Sequence, residues 1–119
     1  MEISRVAEIL EAEVLTCTEF LDGEVCTACG SDMMSDVLAY VKDQAVLLTG
    51  LVNPQVVRTA EMMDMVCIVF VRSKQPTEAI LTLARNAGIV VMATDMRMYE
   101  ACGRLYYNGL QKDEVRKDV

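Results

Sequence analysis

Short polar residues follow the apolar runs of this chain, at positions where they could bind an anionic ligand. In an open parallel sheet, ligands bind at the carboxyl ends of the strands, where the loops enter helices. Helix starts there offer unpaired N–H groups and a partial positive charge, which suit a small anion or a nucleotide phosphate. Plain capping and turn formation remains an alternative, because the chain has no glycine-rich phosphate loop. The candidate ligand-binding residues are Gly30, Ser31, Asp32, Ser35, Thr49, Gly50, Asn53, Arg72, Ser73, Lys74, Thr77, Thr94 and Asp95.

Cys26 and Cys29 form a CxxC pair, with Cys17 nearby. Thiolate zinc and iron–sulfur sites normally need four ligands, often two such pairs, and a second CxxC is absent. A thioredoxin-type pair lies at the start of a helix, whereas this one falls within or at the end of a predicted strand. We interpret the pair as buried or half-buried cysteines. A redox or metal protein that uses these three thiols is one functional hypothesis, in addition to the two given below.

The chain contains no histidine, which removes the commonest general base and metal ligand. Ser-His and Cys-His nucleophile pairs therefore cannot form within it. Asp32 and Asp36 could share one helix face, but acids in a first turn ordinarily cap the helix or face its dipole. The sequence predicts no catalytic residue, no metal site, no cofactor and no enzymatic activity.

The elements that must position these residues alternate along the chain. Continuous apolar runs with short connections predict a mostly parallel sheet that is covered on both faces and joined by right-handed crossovers. Predicted strands are 13–16, 25–29, 45–48, 66–71 and 89–92. Predicted helices are 3–10, one capped by Ser31 or Asp32, one started by Asn53-Pro54, one opened by Pro76 and closed by Gly88, and one capped by Asp95 that runs to about Tyr106.

Size and charge limit the functional class. At 119 residues the chain predicts one domain over 1–110, followed by a charged tail over 111–119. The net charge of −7 and the 5% aromatic content argue against a nucleic acid polymer as the partner. No apolar run reaches the roughly 20 residues that cross a bilayer, and the first residues lack a secretory pattern. We therefore expect a cytoplasmic protein that does not bind membranes.

Eight of the nine methionines cluster at Met33-Met34, Met62-Met63-Met65 and Met92-Met96-Met98. Methionine fills irregular gaps in a core, which is one interpretation of the clusters. The alternative is a pliable contact surface that Tyr106 and Tyr107 could join, and a homodimer is its simplest form.

A series of short motifs runs from Ala12 to about Tyr106. They are Ala12-Glu13-Val14-Leu15; Met34-Ser35; Leu47-Leu48-Thr49-Gly50; Pro76-Thr77; and Gly88-Ile89-Val90-Val91-Met92-Ala93-Thr94, followed by Asp95 and a helix that contains Ala101. In this order they resemble the DRTGG domain family. That family includes the region found with CBS domains in regulatory inorganic pyrophosphatases and segments of some phosphotransacetylases. It is also similar to the N-terminal domain of HPr kinase/phosphorylase.

The resemblance implies a three-layer α/β/α unit that acts as a regulatory or assembly module, tends to dimerise and has no catalytic set of its own. Two loops depart from the family pattern. Val71-Arg72-Ser73 stands where the family has Thr-Gly-Gly, and Leu51-Val52 replaces the polar pair after the first Thr-Gly. If the family's glycine loops approach a ligand, this copy has either lost that site or altered it, with Arg72 and Lys74 substituting charge for close backbone approach.

Two functional hypotheses follow from the resemblance and the missing catalytic groups. The first is a non-catalytic regulatory module that binds a small ligand, for example a nucleotide or other phosphorylated metabolite, or mediates homodimerisation, or does both. The second is an interaction subunit or assembly partner of a larger metabolic or redox enzyme complex, with no small-molecule site.

Overall fold

A five-stranded sheet forms the centre of the structure, a computed structural model that describes residues 1–40 and 44–111. Within these residues no helix is long and apolar enough to cross a membrane. The strands are β1 (Glu13–Val14), β2 (Thr27–Gly30), β3 (Ala45–Thr49), β4 (Cys67–Phe70) and β5 (Val90–Ala93). The helices are α1 (Ile3–Leu10), α2 (Met34–Tyr40), α3 (Pro54–Met62), α4 (Glu78–Ala87) and α5 (Met98–Tyr107), with a short 3₁₀ helix at Thr18–Phe20.

The strand order is β1-β5-β4-β3-β2. Strands β2 to β5 are parallel in chain order, and β1 pairs antiparallel with β5 at the far edge. Every residue of β3, β4 and β5 is buried, as expected for strands covered on both faces. The predicted mostly parallel sheet is therefore confirmed, and the carboxyl ends of β2 to β5 lie along one edge.

Helices cover both faces of the sheet. On one face α1 and α5 pack around residues such as Val6, Leu48 and Leu105. On the other face α2, α3 and α4, which connect the parallel strands, pack around residues such as Val57, Phe70 and Ile80. Helix, sheet and helix form three layers, as the resemblance implies.

Helix starts differ from the sequence expectations at three places. Helix α4 begins at Glu78 and not at Pro76, because the Thr77 hydroxyl accepts a hydrogen bond from the Ile80 N–H and caps the helix. Helix α5 begins at Met98, three residues after Asp95. The expected Asp95 cap is wrong, because its carboxylate instead accepts a hydrogen bond from the Ser73 hydroxyl.

At α2, Met33 immediately precedes the helix, and the expected cap by Ser31 or Asp32 is replaced by other bonds. The Ser31 hydroxyl accepts from the Met33 N–H at 3.0 Å, and the carboxylate of Asp32 turns to the next loop. The Asn53 cap of α3 and the left-handed Gly88 at the end of α4 are confirmed. Of the predicted tail, only Gln111 lies within the described residues.

Candidate functional site

The carboxylate of Asp32 is the centre of a polar cluster at the carboxyl ends of β2 and β3. Its Oδ1 atom accepts hydrogen bonds from the Gly50 N–H at 2.7 Å and from the Thr49 hydroxyl at 3.1 Å. Its Oδ2 atom lies 3.5 Å from Nη2 of Arg72, which follows β4. A backbone donor and a hydroxyl from the end of β3 and a guanidinium from the loop after β4 thus converge on one carboxylate. The same set of donors could bind an oxyanion of a ligand.

The guanidinium of Arg72 lies against the buried backbone of Gly50. A Cβ atom on Gly50 would meet the guanidinium, with Cζ of Arg72 at only 2.7 Å. Gly50 therefore permits a close approach to its backbone, and the group that makes this approach is a side chain of the chain itself. Because both side chains of the Arg72–Asp32 pair are about half exposed, a ligand from solvent could reach either of them.

The loop after β4 has an unusual backbone. Arg72 and Ser73 have φ values of 59° and 58°, in the left-handed region that favours glycine. Two bonds to the loop after β5 hold this conformation: the Arg72 N–H donates to the Met96 carbonyl, and the Ser73 N–H donates to the Thr94 carbonyl. The loop thus holds two non-glycine residues in a backbone region that favours glycine, and the side chain of Arg72 covers Gly50.

The structure divides the other candidate residues into several groups. The side chains of Asn53 and Thr77 cap helices α3 and α4, and the hydroxyl of Ser31 bonds to the backbone of Met33. Ser35 lies exposed in the first turn of α2, and Lys74 lies exposed two residues after Arg72.

Gly30 and Thr94 serve packing inside the domain. A Cβ atom on Gly30 would lie 2.6 Å from Sγ of Cys102, so this glycine lets α5 pack closely on β2. The buried hydroxyl of Thr94 donates to the Leu10 carbonyl at 2.7 Å and accepts from the Met96 N–H. The structure therefore brings Asp32, Thr49, Gly50 and Arg72 into one cluster, with Ser73 and Asp95 bonded to each other in the adjoining loops.

Cys26 and Cys29 do not form a paired thiol site. Cys29 is half-buried within β2, as expected, but the expected burial of Cys26 is wrong, because this residue lies exposed just before the strand. Burial is the main cause that raises the pKa of Cys29, and the neighbouring Cys102 raises the pKa further. A raised pKa keeps the thiol protonated, which is a poor state for nucleophilic or metal chemistry. Among the residues that the structure describes, no three His, Cys, Asp or Glu side chains are placed to hold a metal ion.

Two properties of the cluster are not predicted by the sequence. Asp32 was expected to cap a helix, and the distance in sequence between Asp32 and Arg72 conceals their pairing. The left-handed backbone at Arg72 and Ser73 had one sequence signal, namely their replacement of two family glycines. Most non-glycine residues avoid this region, so the residue types alone argue against it.

Comparisons with known proteins agree with this architecture. The chain is similar in structure to the CBS and DRTGG domains of the regulatory region of Clostridium perfringens pyrophosphatase, solved in complex with the activator diadenosine tetraphosphate. The TM-score is 0.68 at 13% sequence identity, and the match covers 95% of this chain and 51% of that chain. The chain thus spans about half the length of that structure, and the likeness concerns the fold. No curated protein matches the chain.

A family model described as the DRTGG domain matches residues 5–106, which is most of the chain. The resemblance drawn from the sequence motifs is therefore confirmed, and the chain belongs to the DRTGG domain family.

Proposed function

We propose that this chain is a non-catalytic regulatory module that binds a nucleotide or other phosphorylated metabolite at the Asp32–Arg72 cluster. The observation that carries the proposal is the convergence of three donors, from Thr49, Gly50 and Arg72, on the carboxylate of Asp32. A phosphate oxygen accepts the same hydrogen bonds as a carboxylate oxygen. The ligand phosphate would replace Asp32 as the partner of Arg72, and the exposed Lys74 supplies a second cation nearby.

Family membership supports a regulatory role. The related pyrophosphatase region carries a DRTGG domain and binds diadenosine tetraphosphate as an activator. Its complex makes dinucleoside polyphosphates and simpler nucleotides the first ligands to test. The absence of histidine from the whole sequence supports a binding role without catalysis. The proposed compartment is the cytoplasm.

The test is thermal unfolding of the purified chain with diadenosine tetraphosphate, ATP, AMP and inorganic phosphate. A ligand that binds only the folded state at a hundredfold its Kd stabilises that state by about 2.7 kcal/mol. Arg72→Ala should remove most of the shift in the unfolding midpoint. Recovery of the nucleotide unchanged after long incubation should confirm binding without turnover.

Arg85→Ala is the matched control. The side chains of Arg85 and Arg72 are 47% and 46% exposed, and each arginine forms an ion pair with a carboxylate, Glu78 for Arg85. Because Arg85 lies in the last turn of α4, at the other end from the cluster, its loss should leave the ligand shift unchanged. Equal shifts in wild type and in both variants would refute binding at Arg72, and no shift with any ligand would refute the nucleotide proposal.

Asp32 also gives grounds for the second candidate function. Its carboxylate already satisfies the converging donors, so the domain is complete without a ligand. The chain would then serve as an interaction subunit or assembly partner of a larger metabolic or redox enzyme complex. Stoichiometric capture of an enzyme that is unaffected by Thr49→Ala and Arg72→Ala, together with no thermal shift, would favour this alternative.

Self-association is the second part of the proposed function. Regulatory modules of this size commonly act as symmetric pairs, since a two-fold interface transmits a change at one site to the other copy. Sedimentation of the wild-type chain over a wide range of concentration tests this part separately from ligand binding. A strict monomer throughout would refute it.

A further inference from the structure

The outward face of α5 is aromatic where a helix on the outside of a domain is ordinarily polar. Ala101 and Leu105 are the residues of α5 that are buried against the sheet. On the opposite side Tyr99 and Tyr107 are 93% and 89% exposed, and Tyr106 is 61% exposed. Together with Met98 and Cys102, these tyrosines line an apolar hollow on the surface. Exposed apolar surface of this kind marks a contact with a partner.

Gly103 lies at the centre of that face, and nothing among residues 1–40 and 44–111 requires a glycine there. Apart from its sequence neighbours and the backbone of its own helix, a Cβ atom at this position would have no described atom within 4 Å, and the backbone is outside the left-handed region. Glycine in the middle of a helix is less favourable than alanine because it loses more backbone freedom on folding. Gly30, by contrast, is explained by its contact with Cys102. A bare helix backbone on an exposed face permits the close approach of a second backbone.

We infer that two copies of this chain bind each other through α5, in an antiparallel two-fold contact centred on Gly103. The inference rests on the self-association proposed above and assigns its interface. Tyr99 lies four residues before Gly103 and Tyr107 lies four residues after it. A two-fold axis through Gly103 therefore sets Tyr99 of one copy beside Tyr107 of the other, twice. The pattern is self-complementary, as a two-fold interface must be.

Charge also favours a second copy at this place. The chain has a net charge of −7, so two copies repel each other over most of their surface. Beside the tyrosines, in the groove between α1 and α5, both signs of charge are present and paired. Arg5 lies 3.6 Å from Glu8, and Arg104 lies 3.9 Å from Glu11 and 3.0 Å from Glu100. When two copies approach each other at this groove, charges of both signs come together, so no region of uniform negative charge opposes the contact.

The exposed tyrosines provide enough surface area for a stable interface between two copies. A buried aromatic side chain contributes about 150–250 Å². Three exposed tyrosines per copy therefore supply a large share of the roughly 800 Å² per partner that a standard stable interface buries. Met98, Cys102 and the stems of the rim residues add to this area.

The test is sedimentation velocity of the full chain and of Tyr99→Ala, Tyr107→Ala and Gly103→Arg. We expect a wild-type dimer, at least about a tenfold rise in its Kd for each tyrosine variant, and a monomer for Gly103→Arg. The arginine has open space in the single copy, so circular dichroism should show an intact fold. Gly103→Ala should raise the unfolding midpoint of the dilute monomer while it weakens the dimer, because the added methyl group meets only the second copy.

Met62→Ala and Thr82→Arg are the controls. Met62 is 68% exposed on α3, and Thr82 is exposed on α4, both on the other face of the sheet. Neither variant should change the Kd. A wild-type chain that stays monomeric would overturn self-association itself. A dimer that survives Gly103→Arg, or that weakens equally with Met62→Ala, would overturn only the α5 interface.

Discussion

The guanidinium of Arg72 occupies the space beside Gly50 that any larger residue at that position would need. The contact joins the loop after β3 to the loop after β4, and the Asp32 carboxylate bonds to both. One glycine, one arginine and one aspartate therefore connect the ends of three neighbouring strands at this edge of the sheet.

Gly50→Ala should release Arg72 from Asp32. The added methyl group would displace the guanidinium, whose end is flexible and can move into solvent. A half-exposed ion pair stabilises a protein by about 1 kcal/mol or less. We expect a loss of that size in the free energy of unfolding, measured by urea denaturation.

The double variant Gly50→Ala/Arg72→Ala tests whether displacement of the Arg72 guanidinium causes this loss of stability. In an Arg72→Ala background, Gly50→Ala has nothing to displace, so its cost should disappear. If the two losses in the free energy of unfolding simply add in the double variant, the contact between Arg72 and Gly50 is contradicted.

Arg72→Gly should be more stable than Arg72→Ala by about 1 kcal/mol. Both variants lose the ion pair, but only alanine keeps a Cβ atom at a φ of 59°, where a Cβ costs roughly 1–2 kcal/mol. Lys74, outside the left-handed region, is the control: its glycine variant should be less stable than its alanine variant. The same order at both positions would refute the backbone argument.

Thr16→Val should destabilise the fold by about 2–3 kcal/mol. The buried hydroxyl of Thr16 donates to the Ile89 carbonyl and accepts from the Val91 N–H, both at 2.8 Å. Valine has nearly the same shape and leaves these two buried backbone groups without their partner. Thr16→Ser keeps the hydroxyl and should recover most of the loss in chemical denaturation; a serine variant as unstable as the valine variant would assign the effect to packing.

Cys26 should react first with a thiol reagent, because it is the exposed cysteine among the five. Burial raises the pKa of Cys17, Cys29, Cys67 and Cys102, and the thiolate is the reactive form. Labelling of the half-buried thiols should therefore accelerate only as the pH rises beyond the ordinary thiol range. The fully buried Cys67 should react on unfolding alone.

The matched variant for this experiment is Cys26→Ser, in which the fast phase should vanish at neutral pH. A fast phase that persists in Cys26→Ser, or rapid native-state labelling of Cys67 detected by mass spectrometry, would contradict this order of reactivity.

Much of the fold could be predicted because local patterns and global packing agree. Apolar runs such as Cys67 to Val71 are buried on both faces, so their composition reports their place in the sheet. Asn53 and Gly88 act within one turn of the chain, and their roles at helix ends follow from residue type. The family could also be identified from the sequence, since its motifs occur in order along the chain.

Helix starts were less predictable, because tertiary partners compete for capping side chains. Asp95 has the right type and position for a cap, yet its carboxylate bonds to Ser73, which is distant in sequence. Pro76 is compatible with a first turn, but Thr77 caps the helix one residue later. In each case a hydrogen bond selected between two locally acceptable starts.

By itself, the sequence determined that the chain is a mostly parallel α/β domain of the DRTGG domain family and that it lacks histidine chemistry. Those properties depend on composition, periodicity and motif order, which are local. Only the tertiary structure decided that Asp32 and Arg72 meet over Gly50 and that Gly103 faces outward between two tyrosines. These relationships join residues from separate strands and helices, and the packing of the sheet and its helices sets their distances.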